Sequence, residues 1–452
     1  MSEPAASSAT VHSPHLLYVA WGYPPSRGAG MYRALATANA FARNGWKVTV
    51  LTATRETFER LTGSDPESEA FIDPRIEVVR IPFNPELAET DLRKWSRLRI
   101  FAPRLWEYVR ERLTSVSFPE SVYGGWKKPL IHAAEAIHAA NAIDLVLGTA
   151  NPNVDFAPGY HLYRKYGVPY VMDHRDAWHL DVYTDQRIGT RLNRSNRVER
   201  HLIESALEVW FVNEPIRDWH ASEYPRQTDR YHVVANGYDA VFLEDLPQRS
   251  VDPSNGITFG YLGTIYGPMP LQESLEGWRL ARKRSPLVRK SRLQFRGRVG
   301  HYAVPDPGIV NLLRDYRDDD VTHLGPVSKT KVATAYQDFD ALLLILGQSR
   351  YVTSGKVFEY AATGLPIAAL HHPATAAASV LKDHPRYFPV ANITPEEIAE
   401  AIIATAENAV SAQPDEVRRT RLWAAQLERD AQLLPRIAAL REALAPRPET
   451  TR

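Results

Sequence analysis

From His15 onward the chain alternates short apolar runs of strand length with stretches whose apolar residues recur at helical spacing. Few folds accept that pattern. Residues 15–20 read as a buried strand, and a Gly/Pro-rich loop follows at 21–30. Met31, Leu35, Ala38, Phe41 and Ala42 then mark one face of a helix, which Asn44-Gly45 stops. Residues 47–52 form the next strand. A strand–helix–strand unit pairs its strands in parallel, because the crossover returns the chain to the same end of the sheet. Further strands are expected at 76–81, 144–147, 170–173, 209–212 and 232–235, with helices at 130–140 and 198–206. After Asn236-Gly237 a second series begins: strands at 257–261, 293–296, 321–324, 341–345 and 367–370, with helices at 271–282, 331–336 and 356–363. The fold class is therefore α/β, two Rossmann-like parallel-sheet domains facing each other across a cleft. The expected division is a loose tail at 1–13, a first domain at 14–236, a second at 237–421, and a terminal segment at 422–452. The last of these has helical period, with Pro435 as a kink or break, and packs back on the first domain.

Composition enters by exclusion. A length of 452 residues suits two or three domains. Lysine and arginine total 54 against 53 acids, a net charge of +1, so no basic excess exists to hold a nucleic acid. The absence of cysteine removes disulfides, thiol nucleophiles, iron–sulfur clusters and thiolate zinc sites. The first dozen residues lack a charged and apolar leader pattern, and the apolar runs are far shorter than the roughly 18 residues of a spanning helix. A cytoplasmic protein is the expectation. Residues 93–112 depart locally from neutrality: Arg93, Lys94, Arg97, Arg99, Arg104, Arg110 and Arg112 intersperse with Trp95, Phe101, Trp106 and Tyr108, against Glu107 and Glu111. Two readings stay open, a solvated helix face with its aromatics packed inward, or a peripheral contact with an anionic membrane or acceptor.

Two glycine-bearing helix starts suit anions. Gly28-Ala29-Gly30 precedes the first helix, where bare backbone N–H groups and the helix dipole favour a phosphate. Arg33 stands where a dinucleotide fingerprint needs a small residue, which argues against a nicotinamide or flavin site. The second start is Thr353-Ser354-Gly355-Lys356, with Thr353 or Ser354 as cap, and Gly364 and Pro366 as stop signals. Ser354, Gly355 and the charge of Lys356 together suit a diphosphate. Three residues on, Glu359 offers two acceptor oxygens at the spacing of a ribose diol; the alternative is a surface Lys–Glu pair. Asp318-Asp319-Asp320 reads as a solvated turn, and the scattered histidines show no metal-ligand spacing, so no metal site is expected.

In order and spacing, these pieces resemble the GT-B glycosyltransferases, specifically the family 4 retaining enzymes that use nucleotide sugars. The resemblance spans roughly residues 14–410 and rests on Tyr23-Pro24-Pro25 through Gly30, 47–52, 169–178 (including Asp173-His174-Arg175-Asp176), Asn236-Gly237-Tyr238-Asp239, 260–264 and 354–366. It implies that the first domain binds an acceptor and the second a nucleotide-sugar donor. On that basis Glu359 holds the ribose, while Ser354, Gly355 and Lys356 meet the diphosphate. Gly28 and Gly30 approach from across the cleft, Thr264 lines the donor pocket, and Pro326 with Val327 flanks the base. There are two departures. The glutamate common in the family eight positions before Glu359 is Tyr351 here, and the histidine common after the fifth strand is replaced around Arg175, with His174 and Asp176 beside it. Lys356, Arg175, Asp176 and His174 are thus the candidate catalytic set. The implied reaction is sugar transfer to an acceptor hydroxyl with retention and without a metal or other cofactor, in polysaccharide, glycolipid or glycosylated-metabolite synthesis. A sugar-nucleotide epimerase or an inactive scaffold of the same fold are the competing expectations.

Overall fold

Two parallel sheets organise the computed structural model, which describes residues 13–445 apart from 29, 86–88, 90, 244–245, 247–250, 268, 301–304 and 329–330. The first has seven strands, β1 (His15–Val19), β2 (Lys47–Ala53), β3 (Glu77–Ile81), β4 (Leu145–Ala150), β5 (Tyr170–His174), β8 (Glu208–Phe211) and β9 (Tyr231–Val233), in the order β3-β2-β1-β4-β5-β8-β9. A two-stranded antiparallel hairpin, β6 (Leu180–Asp181) with β7 (Gln186–Arg187), stands apart from it. The second sheet has six strands, β10 (Thr258–Leu262), β11 (Arg292–Arg296), β12 (Val321–His323), β13 (Ala341–Ile345), β14 (Ile367–Leu370) and β15 (Tyr387–Pro389), in the order β12-β11-β10-β13-β14-β15. Both sheets reverse strand order beside their first strand, between β1 and β4 and between β10 and β13. At such a switch point the flanking connections leave in opposite directions and open a crevice at the carboxyl ends.

The apolar runs are continuous because both faces of each sheet are covered. In β1, Leu17 and Val19 face one core cluster while Leu16 and Tyr18 face another. Among the strands, an edge strand and a short hairpin escaped the sequence reading. β15 is a three-residue edge strand containing a proline, and the β6–β7 hairpin has two residues a side; both are too short to show a period.

The interior of the first domain holds a charge pair. Arg33, on the Gly30–Arg43 helix, reaches Asp173 of β5 bidentately, at 2.8 Å from Nε and 2.6 Å from Nη2, with both side chains almost fully buried. Thr149 donates to the same carboxylate at 2.9 Å, and Nη1 of Arg33 donates to the Ala235 carbonyl at 3.2 Å. The small residue that a dinucleotide fingerprint requires is thus replaced by a structural cation.

Two strands of chain cross between the halves side by side. Tyr238 bridges to the 427–429 segment through backbone hydrogen bonds of 3.2 and 2.9 Å, and Arg429 pairs with Asp239 at 2.7 Å. Gly237, at φ +62°, lies so close to Arg429 that a Cβ would meet its backbone at 2.7 Å. The Arg429–Leu444 helix then returns over the first helix, burying Leu433, Ile437 and Leu440 among Phe41 and Trp46. Leu422 belongs instead to the preceding helix, Pro414–Ala424, so the chain breaks at the crossing and not at Pro435, which sits inside the last helix. The flanking apolar burial offsets the hydrogen bond that proline omits.

The Arg33–Asp173 pair yields a stability test. Arg33→Leu or Asp173→Leu alone strands a buried charge and is expected to cost about 3–5 kcal/mol. The double variant, with no charge left to desolvate, is expected to recover most of that loss in urea and thermal unfolding midpoints.

Candidate functional site

The second-domain side is built around the Gly355–Thr363 helix. Ser354 occupies its N-cap position with extended backbone, but its side chain makes no capping bond, and the first turn carries no acid. Gly364 ends the helix at φ +77°, as a left-handed C-cap. Lys356 folds back over the end of β10. Its amine donates to the Tyr261 hydroxyl and sits 4.1 Å from that ring's centroid, while the hydroxyl donates onward to the Thr264 carbonyl at 2.7 Å. Gly263 has φ +140°, and a Cβ there would press on Cε and Nζ of Lys356 at 3.0 Å, so glycine is what leaves the lysine its berth. Packing around the amine lowers its pKa to about 7, with only the Glu359 charge opposing that loss. Glu359 accepts from the buried Tyr336 hydroxyl at 3.2 Å. Val327 is half-buried against the cluster that holds Tyr336 and Tyr360, and Pro326 is exposed.

The first-domain side is a positive corner. The Arg175 guanidinium lies on the backbone of Gly30, where a Cβ would fall 1.5 Å from Nη1. Two carbonyls hold it there: Ala150 accepts from Nε at 2.5 Å and Asn151 from Nη2 at 2.9 Å. Asp176 is exposed and accepts from the Asn151 amide at 3.1 Å. The Gly30–Arg43 helix carries no acid in its first turn, so its dipole and the guanidinium add in the same sense. Gly28 donates its N–H to Ser26 Oγ at 3.2 Å; residue 29, between the two glycines, lies outside the described residues.

His174 leaves this group. The sequence set it beside Arg175 and Asp176 as a possible sugar contact, but its side chain is fully buried, 4.9 Å from the Phe156 ring and 5.6 Å from that of Phe211. Strand alternation is the reason. Asp173 faces Arg33 on one side of β5, so its neighbour must face the opposite core.

The two sides are strapped together just ahead of Ser354. Asn213 donates to the Tyr351 carbonyl at 2.7 Å and to Thr353 Oγ1 at 3.1 Å. Ser349 donates to the Val182 carbonyl, and the Tyr351 hydroxyl donates to Asp185. Tyr351, which stands where the family often has a glutamate, is buried in the first domain's core cluster. Across the cleft, burial and the nearby charges of Asp65 and Glu359 raise the pKa of Tyr32, on the first helix. The sequence reading missed Tyr261, Asn213 and Asp185, whose roles exist only through contacts between distant segments. Asp319 and Asp320 of the acidic triplet pair with Arg279 at 2.7 Å and Arg282 at 2.6 Å.

Residues 27–237 match the model of the glycosyl transferase 4-like domain. No curated protein matches the sequence. Among solved structures the fold is similar to sucrose-phosphate synthase from Thermosynechococcus elongatus, with TM-score 0.57 and 16% identity over 96% of this chain and 99% of that one. It is also similar to a glycosyltransferase from Rickettsia africae, with TM-score 0.61 and 12% identity over 96% and 100%. A UDP-N-acetylglucosamine 2-epimerase aligns with TM-score 0.52 and 10% identity over 97% and 99%. At such identities the structural likeness is one of fold. The matched glycosyl transferase 4-like domain at residues 27–237 thus lies within a chain whose two parallel sheets are those of the GT-B fold.

Proposed function

We propose that the chain moves a sugar from a nucleotide diphosphate sugar to an acceptor hydroxyl, with retention at the anomeric carbon and without a metal cofactor. The seating of Lys356 carries this reading. A lysine held over β10, beside the uncapped start of the Gly355–Thr363 helix, offers a cation and bare N–H groups to one diphosphate. Arg175, lying on Gly30 at the start of the Gly30–Arg43 helix, supplies positive charge from the opposite side. Negative charge develops on the leaving diphosphate as the glycosidic bond breaks, so groups fixed in advance lower the barrier without reorganising. In this reading Glu359, steadied by Tyr336, takes the ribose hydroxyls, Thr264 lines the donor pocket, and Val327 packs against the base. Ser354 and Gly355 meet the diphosphate, and Asp176 faces the sugar. Retention follows the resemblance carried by the sequence motifs.

A thermal-shift screen with UDP, GDP, ADP and their sugar conjugates tests donor binding. At least one is expected to raise the midpoint in the wild-type chain, and Glu359→Ala is expected to weaken that effect. Lys356→Ala is expected to cost about 10²–10³ in turnover, or about 2.7–4 kcal/mol of transition-state stabilisation. Silence from every nucleotide, or near-normal turnover in Lys356→Ala, sinks the reading. Conversion of the donor's sugar to a stereoisomer without acceptor reassigns the chain to an epimerase.

The lysine also sets a pH dependence. Its amine titrates near 7 in the free protein, so it is charged below that pH and neutral above it. The expected result is that kcat/KM falls as pH rises through about 7, and that binding of a nucleoside diphosphate at pH 8 takes up a proton. Calorimetry in buffers of different ionisation enthalpy reads that uptake directly.

The basic segment supports an acceptor presented at a membrane surface. It forms two helices, Arg97–Phe101 and Pro103–Ser117, separated at Ala102. Trp106 packs inward, but Ile100, Phe101, Leu105, Tyr108, Leu113 and Val116 are exposed, alongside Arg97, Arg104 and Arg112. No described helix is long and apolar enough to cross a membrane. We therefore place this segment flat on an anionic bilayer. Sedimentation with vesicles containing anionic lipid is expected to carry the protein down at low salt. High salt, and a Phe101→Asp/Leu105→Asp variant, should each release it; binding indifferent to both rejects the surface assignment.

A further inference from the structure

Directly beneath the Arg175 loop, three side chains far apart in sequence converge in the core of the first domain. His174 ends β5, Glu199 lies on the Arg194–Ser205 helix, and His220 lies on the Glu214–Glu223 helix. All three are fully buried, and one ligand atom from each falls within 4.8 Å of the other two. We propose that His174, Glu199 and His220 form a structural site for a divalent transition-metal ion, zinc by its donor set. This inference is independent of the sugar-transfer reading.

The hydrogen bonds around the cluster orient its lone pairs inward. His220 Nδ1 donates to the Ile216 carbonyl at 2.8 Å, which leaves Nε2 facing Glu199 Oε1 at 3.6 Å with no hydrogen-bond partner among the described residues. The other carboxylate oxygen of Glu199 accepts from the Tyr224 hydroxyl at 2.6 Å, so Oε1 is the free donor. Among the described residues, neither ring nitrogen of His174 has a hydrogen-bond partner. Backbone and phenol partners of this kind orient metal ligands from behind. Metal–ligand bonds of about 2.1 Å in a tetrahedron place ligand atoms about 3.4 Å apart, close to the 3.6 Å edge seen here. His179 Nε2, also without a hydrogen-bond partner among the described residues and 3.7 Å from Glu199 Oε2, stands beside the cluster as a candidate fourth ligand.

The ion would staple together the two elements that position the cleft. His174 immediately precedes Arg175, and the helix of His220 is capped by Asn213, which holds the strap at 351–353.

The competing occupant of the cluster is a single proton shared between His220 and Glu199. Metal analysis of the full-length chain, purified without a polyhistidine tag, separates the two. One zinc per chain that survives dialysis is expected. Removal by a strong chelator should lower the unfolding midpoint by about 5 °C or more, and added zinc should restore it. Cobalt(II) added to the stripped protein should give the visible absorption of a tetrahedral site, absent in His220→Gln and Glu199→Gln. If those variants fail to fold, the stripped and refilled wild-type chain decides. A chain that purifies metal-free, with a midpoint and spectrum indifferent to zinc and cobalt, overturns the proposal in favour of the proton.

Discussion

The bidentate contact between Arg33 and Asp173 is the constraint from which the rest of the first domain takes its geometry. Two charges taken fully out of water are tolerated only when each satisfies the other in a fixed orientation. Here the planar guanidinium meets both carboxylate oxygens, and its remaining nitrogen reaches the chain that leaves for the second domain. The consequence lies a few residues away on either side. Gly30 is three residues before Arg33, and Arg175 is two after Asp173. Locking the helix to the strand therefore sets the glycine under the guanidinium, and the positive corner of the cleft is a by-product of a buried salt bridge.

Electrostatics on the opposite wall follow a different logic. Lys356 is placed by what surrounds it: a phenol that accepts from its amine, a glycine with no side chain to exclude it, and a helix start with no cap of its own. Packing around the amine disfavours its charged form, and its pKa falls to about 7. In the proposed function, an anion entering between the walls meets groups already aimed at it. The strap at 349–353 and the paired crossings at Tyr238 and Arg429 hold those walls in register.

How much of this was legible beforehand depended on range. The strand runs and helix stops were readable within a few residues of their true limits, because burial on both faces and left-handed glycine caps leave local marks. The Gly355–Thr363 helix was legible too, from its cap position at Ser354 to its stop at Gly364. Tyr351 was not. In sequence it is a missing glutamate, whereas in the fold it is an anchor whose hydroxyl reaches Asp185, 166 residues away. His174 stood in a motif with Arg175, and the alternation of β5 then sent it to the opposite core. The segment at 93–112 showed its charge and aromatics but not that Ala102 and Pro103 would split it and leave Phe101 outside.

By itself, then, the sequence settled what short-range physics settles: an α/β chain of two parallel-sheet halves, and the caps and glycine stops of the Gly30–Arg43 and Gly355–Thr363 helices. Tertiary structure alone decided the pairings that make a site of them: Lys356 with Tyr261 at a separation of 95 residues, Asn213 with Thr353 at 140, Arg33 with Asp173 at 140. It also decided the meeting of His174, Glu199 and His220. The reason is physical. Periodicity and capping act over one or two turns and so leave a spacing in the chain, whereas a contact closed across a folded sheet depends on register and crossover, and no interval between residue numbers records it.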